Sequence, residues 1–248
     1  MNIEVAFVPT LLTHASTKVC VVVDLLRAST TIVIMLDRGA SEVLVCATVE
    51  DARRLARARP GRYLLCGEVG SLPPDDFDYG NSPSEFSTLD LRGRRIILAT
   101  TNGTAALAAA ADAPAVLVGS LLNLSAAAEA ALREARARAL DITIVCAGRN
   151  YGRYFSMEDT FCAGALVERM LAISSKRPHL WNDALAARRL YRSYRRSPLA
   201  ALNEADHRRS LLEVGLGHDV EFCARVDISR RVPRLYRDQE GRLVLRAP

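Results

Sequence analysis

The stretch Val19–Thr31, VCVVVDLLRASTT, constrains the fold more than any other part of the chain. Val19–Val23 is an unbroken apolar run rich in β-branched residues, which predicts a strand buried on both faces, as in a parallel sheet. The run ends on Asp24, passes through Leu25, Leu26 and Arg27, and reaches the hydroxyl cluster Ser29, Thr30 and Thr31. Ser29 or Thr30 is suited to cap a helix running through Ile32–Met35. An acid at the carboxyl end of a buried parallel strand stands where open α/β sheets place their ligands. The plain structural alternative is an Asp24–Arg27 pair that only closes the strand.

The rest of the chain repeats this alternation. Strands are predicted at Ile3–Val8, Lys18–Val23, Glu42–Ala47, Arg62–Cys66, Arg94–Ala99, Ala115–Val118 and Asp141–Cys146. Helices are predicted after Ser29, over Val49–Arg59, after Gly103, over Ser125–Arg138 and from Glu158 onward. A long polar loop, 67–90, interrupts the pattern, with Ser82–Pro83 reading as a helix cap and first turn. From His179 to Leu212 the pattern is helical and basic, and Arg234–Asp238 with Arg242–Leu245 reads as a hairpin. Strands alternating with helices predict an α/β fold, a three-layer α/β/α sandwich around a mostly parallel or mixed sheet. No linker is evident. Residues 1–248 are therefore expected to form a single domain whose last third, about 179–248, is helical with a terminal hairpin.

Charge and cysteine usage narrow the function classes. The net charge of +5 comes mainly from arginine, clustered at Arg53–Arg59 and Arg188–Arg196 on helical stretches without interleaved aromatics. Nucleic-acid binding is not expected from such a pattern. The six cysteines, at 20, 46, 66, 146, 162 and 223, form no CxxC pair, and several fall inside strands. They are expected to be free core residues in a reducing, cytoplasmic setting. No basic leader precedes Glu4. The most apolar span, Thr104–Leu122, is broken by Asp112, Pro114 and Gly119, so no membrane partner is expected. A homodimer is left open.

Two constellations point to chemistry. TTNGT, Thr100–Thr104, joins a strand to a helix. Thr100, Thr101 and Thr104 supply hydroxyls, Asn102 an amide, and Gly103 close backbone approach, which together suit a phosphate or sulfonate. An ordinary strand-to-helix cap has the same composition. Second, Asp24, Glu68, Asp76, Asp78, Glu158 and Asp159 all fall at strand ends, in the long loop or at a helix start. Carboxylates gathered on one rim repel each other unless a cation sits among them. Their oxygens suit Mg²⁺, with Asp24, Glu68, Asp78, Glu158 and Asp159 as ligand candidates. Arg27 and Arg149 are the candidates for gripping oxyanions. His14, His179, His207 and His218 lie far from these loops in sequence, and none is expected to be the general base. Neither a GxSxG elbow, a Walker A loop nor a GxGxxG turn is present.

VVVDLLRASTTI, GEVG…FDYGNSPSEF, ATTNGTAAL and CAGRN…MEDTFCAGAL, in that order, resemble the motifs of the 2-phosphosulfolactate phosphatase family, and the late GHDVEFCAR…VPRL is similar too. The resemblance implies an α/β/α sandwich and a Mg²⁺-dependent hydrolysis of 2-phosphosulfolactate to sulfolactate and phosphate, a step toward coenzyme M. It adds Asn81 and Ser82 to Thr100–Thr104 and Arg149 as substrate-binding candidates, with Asp24 and Arg27 catalytic. Asp24 is either a metal ligand or the nucleophile. The Asp-x-Asp signature of aspartyl-phosphate phosphatases is absent, since Leu26 fills its second position, which favours the ligand role. The alternative from another class is a non-catalytic binding protein for a small phosphorylated or sulfonated acid.

Overall fold

The computed structural model describes residues 1–247. In chain order the elements begin β1 (Asn2–Ala6), β2 (Lys18–Val23), α1 (Ala28–Asp37), β3 (Glu42–Cys46), α2 (Val49–Ala58), β4 (Leu64–Gly67), α3 (Pro83–Phe86) and β5 (Arg95–Ala99). Next come α4 (Gly103–Ala109), β6 (Ala115–Val118), α5 (Leu124–Arg138), β7 (Asp141–Cys146) and α6 (Met157–Ile173). The last third holds β8 (His179–Leu180), α7 (Asn182–Tyr194), α8 (Pro198–Asn203), α9 (Asp206–Glu213), α10 (Gly217–Cys223), β9 (Arg234–Arg237) and β10 (Leu243–Arg246).

One continuous sheet runs β4-β5-β3-β10-β9-β6-β2-β7-β1-β8. The strands β4, β5 and β3 pair in parallel, and so do β6, β2, β7, β1 and β8. The terminal hairpin lies between these two halves and pairs antiparallel with both, through Val244 opposite Leu44 and Leu117 opposite Arg234. Its own two strands are antiparallel as well. Three antiparallel steps therefore make the two parallel halves run in opposite directions. The hairpin was legible as a hairpin, but not as the seam of the sheet. Its strands cover four residues each, and nothing local names their partners.

Helices cover both faces. On one, α5 and α6 pack over Val19, Val21, Val23, Ile142 and Ile144, and α2 packs over Leu44, Ile97 and Val244. On the other, α1 and α4 share a single core cluster with Cys20 and Val22 from one half-sheet and Val43, Val45, Ile96 and Leu98 from the other. Both halves thus face the same buried layer. This brings together strand ends that a flat sheet of this order would hold far apart. The arrangement is the expected α/β/α layering. On the outer side of α6, a Cβ at Gly164 would collide with the Ala187 carbonyl. Glycine is what lets α7 dock backbone to backbone there.

Local expectations hold in type and shift in detail. β1 stops at Ala6, short of Val8, and β4 begins at Leu64. Ser82 caps α3, accepting from the Glu85 amide, with Pro83 in the first turn. Ser29 and Thr30 do not cap α1, which begins after Arg27. They sit in its first turn and bond backward, Ser29 Oγ to the Asp24 carbonyl and Thr30 Oγ1 to that of Leu25. The basic helical stretch expected from His179 is three helices, the second opening at Pro198, preceded by a two-residue edge strand on β1. All six cysteines are buried and free. Burial pushes the Cys20 thiol up to about 12 and that of Cys46 to about 11.

Candidate functional site

The carboxyl ends of β2 and β7 from one half-sheet, and of β4 and β5 from the other, meet around a chamber of about 10 Å³, whose lining includes Asp24, Arg27, Glu68, Asn81, Thr100 and His207. That is room for one water or one small ion. Asp24 leaves β2 into a turn that its own backbone holds: its N–H donates to Ser29 Oγ and its carbonyl accepts from the Ser29 N–H. One carboxylate oxygen accepts from the Ala28 amide at 3.2 Å. The other faces Gly103, where a Cβ would lie 2.9 Å from it and 2.6 Å from Ala28 Cβ. Glycine at 103 is thus required for α4 to approach Asp24 and α1. Protein atoms fill the space that the sequence reading reserved for a ligand.

Burial raises the Asp24 carboxyl to about 7, with Glu68 and Glu158 pushing further up and the Ala28 amide and Arg27 pulling down. Glu158 and Asp159 open α6 and are buried. Both are raised, chiefly by burial. The two Asp159 oxygens accept from the amides of Leu25 at 2.8 Å and Gly148 at 3.0 Å. This residue ties the end of β2 to the end of β7. Glu68 does similar work across the other half, accepting from Thr101 N at 2.8 Å and Ser71 N at 3.0 Å. Asp78 accepts from Leu65 N at 2.7 Å and stays outside the chamber lining.

Arg27 is fully enclosed. Its Nη1 donates to Asp219 at 2.7 Å and its Nη2 to the Ser71 carbonyl at 2.8 Å. Asp219, from α10, also accepts from Ser82 Oγ at 2.7 Å. The hydroxyl of Ser82, expected on substrate, is therefore engaged with the carboxylate that positions Arg27. Of the three threonines in TTNGT, Thr104 donates to the Thr100 carbonyl and the Thr101 amide is taken by Glu68. Of the three, only Thr100 lines the chamber. Thr100 Oγ1 and Asn81 Oδ1 are buried with no partner. Two idle buried oxygens in one chamber are unusual, because buried polar groups are normally paired. Asn102 Oδ1 accepts from Tyr151 N and anchors the loop that carries Arg149. Arg149 itself pairs with Asp206 of α9 at 2.9 Å, about a third exposed.

The structure thus brings together Asp24, Arg27, Glu68, Asn81, Thr100 and Asn102, with Glu158 and Asp159 just behind. Sequence reasoning missed His207, Asp219 and Ser71. His207 reaches the chamber from α9, its Nδ1 3.8 Å from Glu158 Oε1, and burial lowers its basicity. Nothing local marks it. Asp219 lies in GHDVEFCAR, a segment whose resemblance was visible while its role was not.

Among the described residues, no group of three or more His, Cys, Asp or Glu side chains is arranged to hold a metal. The five acids considered do not converge into a closed cage. The residues lining the chamber supply chiefly oxygens, the carboxylates of Asp24 and Glu68 and the unpaired oxygens of Asn81 and Thr100, with the His207 imidazole beside them. That set fits a hard cation such as Mg²⁺, which takes one or two carboxylates and fills its sphere with water and substrate phosphate.

The sequence profile of the 2-phosphosulpholactate phosphatase family matches residues 6–238. A probable 2-phosphosulfolactate phosphatase of Symbiobacterium thermophilum is 39% identical over 230 residues, 92% of this chain and 94% of its own. Proteins of the same description from Thermotoga petrophila and Gloeobacter violaceus are 38% identical over 218 residues and 34% over 235. These cover 88% and 94% of this chain and 89% and 95% of their own lengths. Every motif around the chamber lies within the matched span, and the chain belongs to the 2-phosphosulfolactate phosphatase family.

Proposed function

We propose that the protein is a Mg²⁺-dependent phosphomonoesterase that cleaves 2-phosphosulfolactate, or a similar small phosphorylated acid, to the hydroxy acid and inorganic phosphate. The observation that carries this reading is the chamber itself. Asp24, a pre-positioned Arg27 and two unpaired oxygens line one chamber inside the span that the family profile matches. Asp24 and Glu68 would hold the cation, which when bound supplies charge neutralisation on the phosphoryl oxygens. Arg27 presents a guanidinium whose direction is set by Asp219 and Ser71. Donors aimed in advance stabilise developing charge without reorganising during the reaction. Thr100 Oγ1 offers a hydroxyl proton to a phosphoryl oxygen, and Asn81 Oδ1 accepts from a bound water or substrate hydroxyl.

A phosphoryl group is far larger than 10 Å³, so substrate entry requires the chamber to widen. The wall formed by α9 and the loop carrying Arg149 is held by the Arg149–Asp206 pair. Exposed pairs of this kind contribute only about 0–1 kcal/mol, so that pair itself resists opening weakly. Asp24 keeps two roles, metal ligand or nucleophile. A cation beside it would return its carboxyl to the ionised form at neutral pH.

The test is inorganic phosphate release across a set of small phosphorylated acids, with EDTA and Mg²⁺ add-back. Release that EDTA abolishes and Mg²⁺ restores is the expected result. Tight binding of these acids without any release identifies a non-catalytic binding protein. Full activity after exhaustive chelation overturns the metal assignment.

A further inference from the structure

Beside the chamber lies a wider cleft of about 490 Å³ that shares Glu68 and Thr100 with it. A molecule whose phosphoryl group entered the chamber past this shared wall would leave its remaining atoms in the cleft, whose size suits a small ligand. The charged side chains lining it are Glu50, Arg53 and Glu68. Arg53, on the first turns of α2, is the one cation lining the cleft among the described residues. Its guanidinium already grips a carboxylate. Nε donates to Asp76 Oδ2 at 2.8 Å and Nη2 to Asp76 Oδ1 at 2.7 Å. Nη1 lies 3.3 Å from Glu50 Oε1, and the guanidinium carbon sits 5.7 Å above the Phe77 ring. The plane of the fork is therefore fixed from two sides, and its two-toothed edge holds the kind of group that a phosphorylated acid would present.

The Asp76 side chain is 49% exposed and that of Arg53 30%. Exposed ion pairs are weak, so displacing Asp76 costs less than about ten-fold in affinity. We infer that Arg53, which lines the cleft, is the specificity-determining residue that receives the carboxylate or sulfonate of the substrate, and that Asp76, outside the cleft lining, is the internal carboxylate that competes for its guanidinium until an acidic substrate binds. The inference rests on the phosphomonoesterase reading. It deepens that reading by dividing the substrate between two cations, the phosphoryl group at Arg27 and the acid group at Arg53.

The experiment compares phospholactate with isopropyl phosphate, which replaces the carboxylate by a methyl group. Phosphate release from both is measured with Mg²⁺ for wild type, Arg53→Ala and Asp76→Asn. In Arg53→Ala the ratio of kcat/KM, phospholactate over isopropyl phosphate, is expected to fall about ten-fold or more, through KM for phospholactate, because a bidentate charge-assisted contact is lost. In Asp76→Asn the ratio is expected to rise about two- to five-fold as the internal competitor weakens. A ratio unchanged in a folded Arg53→Ala protein, with wild type active on both compounds, overturns the inference and leaves the phosphatase reading standing. If Arg53→Ala does not fold, Asp76→Asn decides alone, and an unchanged or lowered ratio there overturns the inference. No phosphate from either compound with wild type overturns the phosphatase reading and this inference with it.

Discussion

The inner chamber and the outer cleft share a wall, yet they are held by opposite means. In and just behind the chamber, Asp159 and Glu68 accept from backbone amides of other segments, Asp24 accepts from Ala28 in its own turn, and Arg27 is enclosed by Asp219 and the Ser71 carbonyl. At the cleft, Arg53 is held by Glu50 and by Asp76 just outside the lining, through partly exposed side chains. Backbone-anchored, desolvated groups stay in one geometry. Exposed pairs exchange partners at little cost. The difference separates side chains whose directions are fixed, whatever wall moves to admit substrate, from side chains that exchange partners with an incoming group.

The largest effect is expected where the chamber is broken from behind. Asp219→Ala leaves the Arg27 charge buried and uncompensated, and it also removes the acceptor of Ser82 Oγ. Losing one partner of a buried pair destabilises by about 3–5 kcal/mol. For a chain of this size that lowers Tm by roughly 6–20 °C. A melting temperature within a degree of wild type would mean that Arg27 is not held as described.

A smaller effect separates the two regions by pH. The Asp24 carboxyl is raised from its ordinary range to about 7. The folded, metal-free protein therefore holds a proton that the unfolded chain releases near pH 4. Wild-type stability in EDTA is expected to fall as pH rises from about 4 to about 7, relative to Asp24→Asn, and to level off above. At pH 8 the metal-free Asp24→Asn protein is expected to melt several degrees higher than wild type, and added Mg²⁺ to close that gap. Parallel melting curves across the whole range would contradict the buried, proton-holding Asp24. The same experiment on the cleft gives the smallest effect. Glu50→Gln is expected to change stability by less than about 0.5 kcal/mol at any pH, read as a Tm shift of about a degree or two.

The features that were legible in the sequence share a cause. The run into Asp24, the TTNGT turn, the Ser82–Pro83 cap and the acids opening α6 each follow from local pattern, and each lies where expected along its element. What escaped depends on long-range pairing. The hairpin is written in its own alternation, but its place between β3 and β6 is set by partners some hundred to two hundred residues away. For that reason the halves run oppositely, where alternation alone implied a shared direction. His207 enters the site on α9, inside the stretch that reads as basic helix, and Asp219 on α10, inside GHDVEFCAR, whose role no local pattern names. Gly103 has a further role that its turn pattern does not show. Its missing side chain makes room for Asp24 and Ala28, which no turn pattern reveals.

The central claim is that Asp24 acts on a cation-assisted phosphoryl transfer in the chamber. Phosphate release by Asp24→Asn, titrated with Mg²⁺ and compared with wild type at equal folded fraction, tests it most directly. The account predicts a loss of at least about a hundred-fold at ordinary Mg²⁺. Partial recovery at high Mg²⁺ identifies Asp24 as a ligand, and no recovery identifies it as the nucleophile, since an amide cannot take its place. Near-wild-type turnover in a well-folded Asp24→Asn protein would contradict both roles, leaving Asp24 as the residue that merely closes β2.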